Sequence, residues 1–234
     1  NKDVVLNVAG TLEQLLSDDE KGSVTHLTVS GPLNSKDIRL LRKMAGANDE
    51  GVSNDGWTGG ALRELNLSNA VIVSDKEPYL TEKASGTWRH SETSLYGSKS
   101  SFYNFDTMDE KKWREFKGEI GTKHEGMFYT RTDDNKYWVS YFCTKNVVGK
   151  RMFKQCTSLY RVILPEKVTK IDSYAFLDCW SLQKMRIPEN VKETGEKPFC
   201  RCLSLESVEA PKKMVSTTVM CEECSPALKQ VTRY

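Results

Sequence analysis

Cysteine is the residue type in this 234-residue chain whose spacing most suggests chemistry. Cys200-x-Cys202 followed by Cys221-x-x-Cys224 sets four thiols at intervals from which a tetrahedral zinc site is built, because Cys-x-x-Cys can wrap two sulfurs around one ion. Two features weigh against that use. A single residue separates Cys200 from Cys202, tighter than a usual zinc knuckle, and Cys202 also belongs to a series with Cys156 and Cys179. A disulfide among Cys200, Cys221 and Cys224 stays open, as do free thiols, and the odd total of seven leaves at least one cysteine unpaired in a monomer. For Cys156, Cys179 and Cys202 the simplest role is a small, buried, weakly polar side chain that repeats from unit to unit.

The remaining chemistry is sparser. His26, His90 and His124 have no partner at metal spacing, and His26 falls on the outward side of an expected strand. The acidic stretches at 48–56 and 133–135 offer oxygens to calcium, but they do not match an EF-hand loop, and Asp, Asn and Gly at turns need no ion. No nucleophile elbow, P-loop or dinucleotide fingerprint occurs. Glu119, Glu125 and Asp133 are the carboxylates to suspect if the chain were a hydrolase or glycan-active enzyme, since such enzymes set two carboxyls about 5 to 10 Å apart. Neither a catalytic residue, a metal ligand nor a cofactor is assigned from the sequence.

The elements that would position any of these residues are announced by a period. Phe153, Phe176 and Phe199 are spaced by 23, and the same interval separates the three cysteines, then Leu159, Leu182 and Leu205, then Pro165, Pro188 and Pro211. A fixed interval in the twenties built around Leu-x-x-(Val/Met)-x-(Leu/Ile/Ala)-Pro is the mark of a leucine-rich repeat solenoid, each unit adding one strand that cannot bury its apolar face alone. Strand alternation sends Val162 and Leu164 inward together with Leu159, and Arg161 and Ile163 outward. The same reading puts Lys184 and Arg186, then Ser207 and Glu209, outward on the next two units. Proline ends each strand because it has no N–H for the ladder, and the chain returns through Val168 and Ile171, or Val191 and Thr194. The phenylalanines are expected to stack inside as a spine.

Fainter copies extend the pattern. Leu228 and Val231 keep the interval and form a partial last unit; Val139 and Tyr141 fall 23 before Val162 and Leu164, so 137–142 is read as another strand. Leu62, Leu65 and Leu67 repeat the inward spacing, as do Val24, Leu27 and Val29, at a separation of 38 that leaves room for a helix. Asn34-Ser35 caps that helix, Ile38, Leu41 and Met44 form its stripe and Gly46 ends it. An earlier helix is expected from Thr11, with Gln14 completing a capping box and Leu12, Leu15 and Leu16 as its apolar side. The fold class is therefore α/β: a solenoid with parallel strands on one face, an N-terminal helical cap and an aromatic-rich insertion. As one domain, 1–234 divides into a cap (1–23), N-terminal repeats (24–85), the insertion (86–142) and regular repeats (143–234). The insertion is set apart by holding 13 of the 22 aromatic residues without keeping the interval; a short helix at 109–117 and a strand at 127–130 are expected in it.

The pattern Phe-x-x-Cys-x-Ser-Leu-x-x-Val-x-(Leu/Ile)-Pro-x-x-Val-x-x-Ile, carried by 153–171 and 176–194, resembles the repeats of BspA-type bacterial leucine-rich repeat surface proteins. The stretches 10–16, 27–33 and 62–69 are similar to how such proteins begin. The resemblance covers about a third of the chain clearly and does not account for the insertion. It implies an exported or surface-attached bacterial protein, active in adhesion, that binds a protein or a glycan. Beginning with Asn rather than Met, the chain is expected to be extracellular or at the cell surface with its export signal already removed.

Composition agrees with such a role. Lys and Arg number 34 against 32 Asp and Glu, interspersed throughout, which argues against nucleic acid as a partner because that requires clustered basic charge. No apolar run is long enough to span a membrane. The leading expectation is a non-enzymatic binding module. Its ligand-binding residues would be Arg161, Lys184, Arg186 and Glu209 on the outward strip, with Trp88 and Trp113 of the insertion at its edge. The alternatives are the enzyme described above and a structural segment of a larger surface assembly.

Overall fold

The computed structural model describes residues 1–47, 60–83, 87–94, 97–104, 127–131, 137–214, 227–228 and 230–234. In chain order its strands are β1 (Lys2–Val5), β2 (His26–Leu33), β3 (Glu64–Asn66), β4 (Ala70–Ile72), β5 (Pro78–Lys83), β6 (Thr87–Ser94), β7 (Gly97–Asn104) and β8 (Met127–Arg131). They continue with β9 (Tyr137–Phe142), β10 (Val147–Val148), β11 (Arg161–Ile163), β12 (Lys170–Ile171), β13 (Lys184–Arg186), β14 (Glu193–Thr194), β15 (Ser207–Ala210) and β16 (Gln230–Arg233). Two α-helices, α1 (Asp18–Ser23) and α2 (Ser35–Met44), lie between the first strands.

The main sheet runs β1-β2-β3-β11-β13-β15-β16, and each neighbouring pair is parallel. Its register is the sequence interval made physical: Arg161 lies opposite Lys184, Lys184 opposite Ser207 and Ser207 opposite Gln230. A second, three-stranded parallel sheet, β10-β12-β14, collects the return limbs, with Val148 opposite Ile171 and Ile171 opposite Thr194. Leu159, Val162 and Leu164 are buried, as are Leu182, Met185 and Ile187 and then Leu205, Val208 and Ala210. Between the two sheets the Phe153 and Phe176 rings stack at 5.2 Å, and the Phe176 and Phe199 rings at 5.4 Å. Each ring has an apolar face on both sides or one, so truncating Phe176 to Ala costs about 3–5 kcal/mol in lost transfer energy and an unfilled cavity.

The rungs are also tied at their bends. Arg151, Tyr174 and Lys197 adopt positive φ (55°, 57° and 44°), and so do Gln155, Asp178 and Arg201 (60°, 61° and 56°). Left-handed backbone costs an L-residue about 1–2 kcal/mol. The offset lies in the direction it gives the amides: the N–H of Gln155 donates to the Leu177 carbonyl at 2.7 Å, and that of Asp178 to the Cys200 carbonyl at 3.0 Å. The cysteine series works in the same sense. Cys179 Sγ donates to the Phe153 carbonyl at 3.0 Å and Cys202 Sγ to the Phe176 carbonyl at 3.1 Å, one rung back in each case. A thiol at this position both fills the core and links rungs, which Ala would not do.

Helix α2 replaces the short return limb on the longer N-terminal unit. Its Asn34 cap accepts from the Lys36 and Asp37 amides, and the Asp37 carboxylate accepts from Asn34 N at 3.0 Å and from Gly10 N at 2.6 Å and Leu12 N at 3.0 Å. Ile38 and Leu41 enter the core. At the far end the buried Arg42 guanidinium donates to the carbonyls of Arg151, Met152 and Lys154 at 3.0–3.2 Å, fastening the helix to the first regular bend.

Several expectations need correction. The N-terminal edge is a strand, β1, paired in register with β2, because Val4 extends the buried row begun by Val29. The expected helix from Thr11 is a single 3-10 turn at Leu12–Leu15 with no side-chain cap, and Leu15 is 45% exposed. The capping box belongs instead to Ser17 and Glu20 at the start of α1. Tyr137–Phe142 is a strand but not a rung: it pairs antiparallel with β5 and β8, and the antiparallel pairing begins at Pro78, ahead of the boundary expected at 86. Glu64 of β3 lies directly opposite Arg161 of β11, while β5, β8 and β9 from the intervening chain form their own sheet and β4 pairs with β2. The expected helix at 109–117 lies outside the described residues.

The antiparallel part is anchored by two side chains of β5. Buried Tyr79 donates its hydroxyl to the Lys150 carbonyl at 2.6 Å. Glu82, 5% exposed, receives Arg151, Lys154 at 2.5 Å and the Tyr141 hydroxyl at 3.0 Å. Burial pushes its carboxyl up, but Arg151 and Lys154 outweigh that and hold it below the usual carboxylate range.

Candidate functional site

The outward side chains of the main sheet form two rows that cross the strands. One runs His26, Glu64, Arg161, Lys184, Ser207, and the other Thr28, Asn66, Ile163, Arg186, Glu209. The rows exist because a parallel in-register stack superposes equivalent positions, and the outward ones carry no obligation to the core. Over β11, β13 and β15 they floor a groove of about 830 Å³, bounded by Tyr160 at one side and Tyr234 at the other.

Three cations, Arg161, Lys184 and Arg186, and four carboxylates, Glu64, Glu166, Glu189 and Glu209, line this groove. Neighbouring rungs pair opposite signs. Glu64 lies 3.5 Å from His26 Nε2 and 3.9 Å from Arg161, and Glu209 lies 3.9 Å from Arg186. Such exposed pairs contribute little to stability, about 0–1 kcal/mol each. Their effect is on the field: Arg161 and Arg186 are each partly answered by a carboxylate. Lys184 makes no ion pair with any described residue.

Arg161, Lys184, Arg186 and Glu209 therefore come together in one groove. Trp88 and Trp113 do not join them here: the β6–β7 register sets Trp88 opposite Tyr103 in a separate two-stranded hairpin, and Trp113 lies outside the described residues. Glu119, Glu125, Asp133, Cys221 and Cys224 lie outside them too. Sequence reasoning missed Tyr160 and Tyr234 as the walls. Tyr160 lies just before β11, where strand alternation gives no signal that it would be 44% exposed. Tyr234 carries no signal in sequence, since its ring reaches Arg186 only through the pairing of β16 with β15.

The described cysteines do not line the groove. Cys143, Cys156, Cys179 and Cys202 are buried and Cys200 is half-buried. Burial pushes the Cys143 thiol up to about 12 and raises those of Cys179 and Cys200. Among the described residues no group of three or more His, Cys, Asp or Glu is placed to hold a metal ion, and no helix is long and apolar enough to cross a membrane.

Residues 141–232 match the family model of the BspA type leucine rich repeat region, in six copies. That span contains Arg161, Lys184, Arg186 and Glu209, whereas His26 and Glu64 continue the same outward row beyond it. No curated protein matches the chain.

Proposed function

We propose that this chain is a non-enzymatic binding module, extracellular or at the cell surface, whose leucine-rich repeat solenoid recognises a protein or glycan through the outward face of its main sheet. In this reading 1–234 is one domain, its N-terminal segment closes one end of the solenoid, and 86–142 is an insertion whose Trp88 and Trp113 flank the bound partner. The observation that carries the reading is the groove over β11, β13 and β15, where charged and aromatic side chains are aligned on a rigid floor without serving the core. A rigid floor matters because side chains already in place lose less freedom when a partner binds.

The test uses protein and glycan arrays probed with the labelled chain and with a variant carrying Arg161→Ala, Lys184→Ala and Arg186→Ala. The expected result is a set of targets whose binding weakens about tenfold or more in the variant, equivalent to about 1.4 kcal/mol. Its melting temperature should fall by no more than about 2–4 °C, the consequence of losing about 1 kcal/mol where Arg186 meets Tyr234. Targets bound equally by both chains would place the site elsewhere than this groove.

A further inference from the structure

We infer that the groove takes an extended polypeptide segment that crosses the rungs and presents a basic–x–acidic–x–basic pattern to the floor, an inference that rests on the groove being a binding surface. The sign pattern of the lining selects the class of partner. A sulfated or uronic glycan carries one sign of charge along its whole length, and any register that satisfied Lys184 would set further negative groups against Glu64, Glu166, Glu189 or Glu209. A polypeptide can place both signs at chosen spacings, so it can complement three cations and four carboxylates where a polyanionic glycan cannot.

The order of charges sets the pattern. Crossing the sheet, Glu64 stands on β3, Arg161 on β11, Lys184 and Arg186 on β13, and Glu209 on β15. Arg161 and Arg186 each have a carboxylate at 3.9 Å, so the central cation with its charge unanswered among the described residues is Lys184. An acidic side chain belongs there, and because the four carboxylates of the lining outnumber its three cations, basic ones belong over the flanking Glu64 and Glu209. Neighbouring strands lie about 4.8 Å apart, so the three steps from β3 to β15 cover about 14 Å. In an extended segment, side chains on one face recur every second residue at about 6.7 Å, so residues 1, 3 and 5 span about 13 Å. Glu64 and Glu209 stand in different rows, two residues apart along the strands, so the diagonal between them is about 16 Å, and a five-residue segment laid along it leaves about 3 Å for its flexible basic side chains to cover. The floor's own amides are spent on the parallel ladder, so recognition must come from side chains.

The test uses fluorescent peptides with Lys-Ser-Glu-Ser-Lys, Lys-Ser-Lys-Ser-Lys, Glu-Ser-Glu-Ser-Glu or Glu-Ser-Lys-Ser-Glu at the centre of a Gly/Ser spacer, and fluorescent heparin, titrated by anisotropy. Lys-Ser-Glu-Ser-Lys should bind best, lose about tenfold in affinity to the Lys184→Glu chain, and be replaced there by Lys-Ser-Lys-Ser-Lys. That exchange of preference distinguishes direct contact from damage to the fold. If Glu-Ser-Glu-Ser-Glu or heparin binds best and responds to Lys184→Glu, the partner is a polyanion and this inference is overturned while the groove remains the site. If no probe responds to Lys184→Glu, the inference is overturned as well, and the array result with the triple variant judges the groove independently.

Discussion

The guanidinium of Arg186 lies 4.6 Å from the centroid of the Tyr234 ring, and the hydroxyl of the same tyrosine donates to the Ile187 carbonyl at 2.6 Å. Two residues that stand 48 apart in sequence thereby hold one wall of the groove upright. The last strand leaves Val231, the counterpart of buried Val208, 39% exposed, so Tyr234 contributes what apolar burial does not supply at this end.

Tyr234→Leu should therefore lower stability by about 1–2 kcal/mol, the sum of an exposed cation–π contact and one hydrogen bond. Tyr234→Phe should lose only the hydrogen-bond part. Urea unfolding of the two variants checks this; equal losses would mean that the ring contact with Arg186 contributes nothing.

Acid should loosen the attachment of the antiparallel part to the repeats. Glu82 titrates below the usual carboxylate value of 4.5 when folded, so the folded chain binds fewer protons than the unfolded one in that range. The stability it supplies is complete above about 4.5 and is lost as pH falls through the lower folded value. Glu82→Gln should destabilise the chain at neutral pH by about 1–3 kcal/mol, because the partly exposed Arg151 and Lys154 lose a charged partner. It should also flatten the pH dependence below 4.5. Unfolding free energies measured from pH 7 down to 2.5 decide the matter, and identical slopes for the two chains would show that other carboxylates govern acid sensitivity.

Among the described thiols, Cys200 should react first with an alkylating reagent at neutral pH. Cys143, Cys156, Cys179 and Cys202 are buried, and the thiolate that attacks is further suppressed at Cys143, where the thiol is pushed up to about 12. Time-resolved peptide mass spectrometry should find these four labelled only on the timescale of unfolding. Fast native labelling of Cys179 would contradict its place between the rungs.

How much of this was legible in sequence can be read residue by residue. The interval linking Phe153, Phe176 and Phe199 determined the parallel strands, their register, the stacked rings and the outward direction of Arg161, Lys184, Arg186 and Glu209, because a repeat that recurs in sequence superposes its equivalents in space. Asn34-Ser35 and the stripe of Ile38, Leu41 and Met44 announced helix α2 for a local reason, since a cap satisfies amides within its own turn. Tertiary structure alone decided what lies far apart in the chain. That β9 turns antiparallel instead of adding a rung depends on β5 and β8 offering it edges, and the interval it shares with Val162 could not reveal this. The junction of Glu64 with Arg161, the hold of Arg42 on the first regular bend and the closure of the groove by Tyr234 likewise arise only where separate segments meet. Periodicity encodes which neighbours are equivalent; it carries no information on contacts between segments that share no period, and those contacts shape the site.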